Sequence, residues 1–90
     1  MKAFKLTGIE NKIYFQNLNR IPPEEELATV LKELKVAGYT VGKRKSAGLY
    51  DIYTCEKNDR QFMVSFDGED AEIYSRDQNV LEELMKVFAE

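Results

Sequence analysis

The stretch PPEEELATVLKELKVAGYTV, residues 22–41, changes its hydrophobic period at Gly38, and that change decides the fold. Before it, Leu27, Val30, Leu31 and Leu34 recur at i, i+3, i+4 and i+7, which is one apolar stripe of an α-helix. Pro22 and Pro23 suit a first helical turn, where a missing N–H leaves no bond unmade, and Glu24, Glu25 and Glu26 complement the positive end of the helix dipole. Lys32 and Lys35 fall toward the other end, and Gly38 suits the left-handed conformation that closes a helix. After Gly38 the period becomes two. Tyr39–Lys43, Leu49–Glu56, Arg60–Asp67 and Ala71–Ser75 read as strands. Their separators hold Ser46-Ala47-Gly48, Asn58-Asp59 and Asp67-Gly68, which favour turns and are too short for a parallel crossover. A four-stranded antiparallel meander follows.

On the N-terminal side, Lys2–Thr7 and Lys12–Gln16 alternate apolar and polar residues around Gly8-Ile9-Glu10-Asn11, the pattern of a β-hairpin. If residues 2–18 formed a single strand instead, the order would shorten to β-α-β₄-α. On the C-terminal side, Ser75 and Gln78 have capping-box spacing, with Asp77 as a second cap, and Leu81, Leu84, Met85 and Phe88 make another helical stripe. The expected fold class is α+β: one domain over residues 1–90, a single mostly antiparallel sheet of five or six strands, and two amphipathic helices on one face, in the order β-β-α-β-β-β-β-α. Phe4, Leu6, Ile13, Phe15, Val41, Phe62, Val64, Phe66 and Ile73 should point at the helices. A faint echo also runs through the chain at an offset of sixty: Leu6, Gly8, Glu10, Ile13 and Tyr14 align with Phe66, Gly68, Asp70, Ile73 and Tyr74. Any two amphipathic ββα units align in part, so the echo alone does not make a repeat.

Composition narrows the function classes. Ninety residues with 43% hydrophobic and 32% charged side chains have the balance of a folded domain with a modest core. Thirteen Lys and Arg against sixteen Asp and Glu leave a net charge of −3, which argues against a general electrostatic grip on nucleic acid or an anionic membrane. There is no His and one Cys, so histidine acid–base chemistry, Cys–His dyads, an internal disulfide and a Cys- or His-built zinc site are all excluded within one chain. No cofactor motif and no metal site are expected. Gly38, Gly42 and Gly48 do not form a phosphate-binding fingerprint. Met1–Gly8 alternates, and the longest apolar runs, such as Phe62–Val64, are three residues, so neither a signal peptide nor a membrane span is expected and a reducing cytoplasm is the expected compartment.

Several residues invite a chemical reading. Cys55, beside Glu56, has no cationic neighbour to make it a thiolate nucleophile and reads as a buried structural cysteine. Asp67-Gly68-Glu69-Asp70 with Glu72 has oxygen ligands for a hard cation, but Asp-Gly is first a hairpin turn and the spacing is not that of a calcium loop. A carboxylate- or metal-dependent enzyme is accordingly the weakest reading. Lys43-Arg44-Lys45, flanked by Tyr39 and Tyr50, is the one basic cluster and the basis of an alternative nucleic-acid reading, opposed by the acidic balance and the net-acidic second helix. Alternation assigns Tyr14, Met63 and Tyr74 to the sheet face away from the helices, joined by Tyr50 or Tyr53 according to which side of Leu49–Glu56 faces in. Tyrosine and methionine together there suggest a non-catalytic protein that binds a protein partner or forms a homodimer.

Overall fold

Ile13 and Ile73, sixty residues apart, stand directly opposite one another, and both are fully buried. In the computed structural model, which describes residues 2–89, they belong to two antiparallel strands that join the beginning of the chain to its end. The elements run β1 (Lys2–Leu6), β2 (Ile9–Gln16), α1 (Pro23–Val36), β3 (Thr40–Val41), β4 (Lys45–Ala47), β5 (Tyr50–Lys57), β6 (Arg60–Phe66), β7 (Ala71–Tyr74) and α2 (Gln78–Val87). The sheet order is β1-β2-β7-β6-β5-β3, with β4 also on β5 and every pairing antiparallel. This is the expected α+β class, with one short strand more than the sequence pattern shows.

The helices begin and end where their terminal residues require. Pro22 and Pro23 open α1, and the chain leaves it through Gly38 at φ 95°, with Gly38 N–H donating to Lys35 O and Tyr39 N–H to Leu34 O. Those two bonds satisfy carbonyls of the last turn and swing Tyr39 into the core. Asp77 caps α2, its carboxylate accepting from Asn79 and Val80 N–H, while Ser75 Oγ accepts from Asp77 N–H. The second of the two caps suggested by the sequence is therefore the one used. α2 packs over β2, and α1 over β3 and β7. Leu27, Val30, Leu34, Leu81, Leu84 and Phe88 meet Ile13, Phe15, Cys55, Phe62, Val64, Phe66 and Ile73 in one core.

Two features of the edges depart from expectation. The first turn is the tight Thr7-Gly8 pair, and the β1–β2 register shifts between Phe4 and Leu6. Ala3 lies opposite Phe15 and is buried, whereas Phe4 lies opposite Tyr14 on the other face, and Leu6 is 43% exposed beside the turn. Phe4 and Leu6 thus do not point at the helices. A one-residue change of register moves a whole strand's side chains to the opposite face, so setting Ala3 opposite Phe15 turns Ala3 toward the helices and Phe4 away from them. At the opposite edge, Val41 pairs with Cys55 and Lys45 with Ile52, so the edge strand spends one residue more than its partner. That extra residue is a bulge, and it requires Gly42, where a Cβ would stand 2.8 Å from Thr54 O.

The β2–β7 ladder is centred on Ile13 and Ile73, so the offset of sixty sets Tyr14 and Tyr74 at opposite corners of the sheet centre and Lys12 and Glu72 at the other two. A local two-fold axis of this kind belongs to any antiparallel pair. The flanking strands follow with a slip of one residue, Phe4–Tyr14 corresponding to Met63–Tyr74.

Val64 is fully buried at the middle of β6. Val64→Asp should cost several kcal/mol, about 3 or more, by burying an unpaired charge, and should lower the thermal midpoint by tens of degrees or abolish folding. A variant that melts with wild type would show that this strand faces the other way.

Candidate functional site

β-strand parity builds the site. With Val64, Ile73 and Ile13 aimed at the helices, their chain neighbours emerge on the uncovered face. Register then arranges them in two rows: Phe4, Tyr14, Glu72, Ser65 and Ile52 in one, and Lys12, Tyr74, Met63 and Thr54 in the other. Phe4 and Tyr14 stack with ring centroids 5.7 Å apart and planes 27° from parallel. Lys12 Nζ donates to Glu72 Oε2 at 3.3 Å, an ion pair at the centre of the face. That hydrogen bond, then the charge of Glu72, raises the Lys12 pKa above the ordinary lysine value. Arg76 Nε donates to the Tyr74 hydroxyl at 3.3 Å, and Thr54, Gln61, Met63, Tyr74 and Arg76 rim a shallow, mainly apolar hollow.

Of the residues assigned to this face from sequence, Tyr14, Met63 and Tyr74 lie together at its centre, each half-buried. Tyr50 shares the side of β5 that carries Ile52 and is 49% exposed. Tyr53 does not belong to the face. It pairs with Val64, points at the helices and is 9% exposed, because β5 turns the Tyr53–Cys55 side inward. Ile52 comes to the face with Tyr50, with which it shares a side of the strand, whereas Phe4, Lys12 and Glu72 are additions to the set assigned from sequence. Phe4 was hidden by the register shift, and Lys12 and Glu72 look like ordinary surface charges until the offset of sixty is read as a pairing.

The other candidates are occupied by structural duties. Arg44, middle of the basic cluster, donates through Nε to Asp51 at 2.7 Å and through a terminal nitrogen to Glu24 at 2.8 Å, and its guanidinium lies 5.5 Å from the Phe66 ring centre. It ties the bulged edge to the first turn of α1, and leaves Lys43 and Lys45 without it. Asp67 Oδ1 accepts from Glu69 and Asp70 N–H, which holds the turn and lowers its pKa. Among the described residues, no group of three or more Cys, Asp or Glu is placed to hold a metal ion. Cys55 is fully buried, and burial pushes its thiol up to about 11. At the far end of the sheet, the Tyr39 hydroxyl donates to Glu83 Oε1 at 2.9 Å, and Lys57 Nζ donates to Ala37 O at 3.0 Å while lying over the Tyr39 ring. Burial first, then Glu83, pushes the Tyr39 hydroxyl up to about 12. This cluster fastens α2 and the end of α1 to the β5–β6 hairpin.

Glu26 stands apart. It is 3% exposed, and its Oε1 accepts no hydrogen bond from the described residues. Burial, then the nearby Asp70 carboxylate, raises its pKa, partly offset by Asn17 and the Ala71 backbone. The folded state therefore holds this proton to higher pH than the unfolded chain does. The contribution of Glu26 to stability is greatest below the ordinary glutamate pKa and falls as pH rises from there through the folded value, the reverse of that of Asp67. Glu26→Gln should remove this fall and raise the pH 7 melting temperature by a few degrees, about 1 kcal/mol in a domain of this size. Thermal melts of both proteins from pH 4 to 8 check it; parallel profiles would contradict it.

No known protein family matches the chain, and neither the curated proteins nor the solved structures offer a match to it.

Proposed function

We propose that the protein is a non-catalytic binding module that holds a protein through the face of its sheet left uncovered by helices. One observation carries this reading: Phe4, Tyr14, Ile52, Met63 and Tyr74 put half-buried aromatic and aliphatic side chains on one face of five adjacent strands, around the Lys12–Glu72 ion pair. Scattered apolar residues on a wet sheet need no explanation, but a contiguous patch rich in tyrosine and methionine has the composition of an interface core. Tyrosines supply large contact area with few rotatable bonds, and each hydroxyl can still find a polar partner. Two side chains that invited a chemical reading have structural duties instead: the Cys55 thiol is buried, with its pKa pushed up to about 11, and Asp67 is bound to its own turn. The nucleic-acid reading loses support from Arg44, whose guanidinium is engaged by two carboxylates.

The triple variant Tyr14→Ser, Met63→Ser, Tyr74→Ser tests the reading. Immobilised wild type should retain a protein, either one from an extract of the source cells or its own kind, and the triple variant should lose it. The variant should nonetheless remain folded, since none of the three side chains lies in the main core. Retention undiminished by the triple change, or a wild type that retains nothing, would leave this face as plain solvent surface.

A further inference from the structure

We propose that the occupant of the open face is a second copy of this chain, packed sheet against sheet about a two-fold axis in the plane of contact. This rests on the reading of that face as a binding surface and adds the identity of what covers it. The argument comes from the register. Around the sheet centre, Tyr14 and Glu72 lie side by side in one row, and Lys12 and Tyr74 side by side in the next. An axis running across the strands interchanges the rows, setting Lys12 of one copy over Tyr14 of the other and Glu72 over Tyr74. An axis running along the strands between β2 and β7 sets Lys12 over Tyr74 and Glu72 over Tyr14. In both arrangements each charge meets a tyrosine and never its own kind. A lysine over an aromatic ring and a carboxylate beside a phenol hydroxyl are both attractive contacts. Either axis succeeds because the two tyrosines occupy one diagonal of this four-residue square and the two charges the other.

Charge and size agree with this occupant. The chain carries a net charge of −3, yet the centre of the face holds one cation and one anion, so a second copy meets no like-charge barrier there. A strongly charged partner would gain nothing from the same pair. The molecule measures 31 × 28 × 27 Å along its principal axes, so a whole face is large enough to supply the ~800 Å² per partner that a stable contact buries. The sheet edges are poorer routes to self-association. β1 bears Lys2 and Lys5, and the opposite edge bears Lys43 and Lys45 on a bulged, broken strand. Lysines and bulges are the devices by which sheet edges resist pairing.

Light scattering over a concentration series should give twice the 10.4 kDa chain mass for wild type. Glu72→Lys, which takes from Lys12 its carboxylate partner and would bury four unneutralised cations between two copies, should weaken the association at least about tenfold, and the swap Lys12→Glu with Glu72→Lys should restore it. On wild type alone, dilution should move the NMR signals of Lys12, Tyr14, Met63 and Tyr74 and leave those of Glu33 and Lys86 on the helices unmoved. A monomer at all concentrations overturns the second copy as occupant; the binding reading then stands or falls on whether the triple serine variant loses a captured protein. A dimer indifferent to Glu72→Lys and to the triple variant places the contact elsewhere and overturns both.

Discussion

The pairing of β2 with β7 is the constraint on which the rest of the structure depends. Without it the chain would be a hairpin with a helix and a separate meander with a helix, each with one apolar side to cover. The ladder that joins them places Ile13 against Ile73 and extends to a bond from Ser75 N–H to Asn11 O at 3.0 Å. It unites two small apolar surfaces into one core beneath both helices. Closing a connection of some sixty residues costs little more entropy than closing a shorter one, because the cost grows only with the logarithm of loop length. The gain is burial of Ile13, Phe15 and Ile73 together with the stripes of α1 and α2, each such side chain contributing about 1.5–3 kcal/mol.

The same ladder fixes what is left outside. Because side chains alternate, burying Ile13 and Ile73 forces Lys12, Tyr14, Glu72 and Tyr74 onto the far face. The charged ties of the fold are on the helix side or at its rim: Arg44 to Glu24 and Asp51, Lys57 to Ala37 and Glu83. Exposed pairs of this kind contribute little energy singly, but they hold the helix ends in place over the sheet. The open face carries the Lys12–Glu72 pair at its centre, set among aromatic groups, with Arg76 against the Tyr74 hydroxyl at its rim. Structure and proposed function therefore share one cause.

Much of this was legible in the sequence, and the failures have physical reasons. The stripes of Leu27–Leu34 and Leu81–Phe88, the turn at Gly38 and the strands after it follow from periodicity and backbone chemistry, which are local. Phe4 and Leu6 fall elsewhere than alternation suggests because it gives a strand two equivalent faces, and the β1–β2 register, which sets Ala3 opposite Phe15, chooses between them. Tyr53 was ambiguous because both sides of β5 carry apolar groups, and the choice is made by its pairing with Val64. The short strand at Lys45–Ala47 escaped notice because its pairing depends on a bulge at Gly42, a close approach of two backbones that leaves no hydrophobic signature. The centre of the open face was only half visible. Its tyrosines follow from parity, whereas the meeting of Lys12 with Glu72 is a tertiary fact.

Amide hydrogen exchange tests the β2–β7 ladder most directly. If this pairing unites the fold, the amide of Ser75, bonded to Asn11 O, and the paired amides of β2 and β7 open only with global unfolding, at the same free energy as those at the centre of β6. Exchange of the β1–β2 amides through a separate, low-energy opening, with β5, β6 and β7 still protected, would show that the first hairpin is an appendage and would contradict the account.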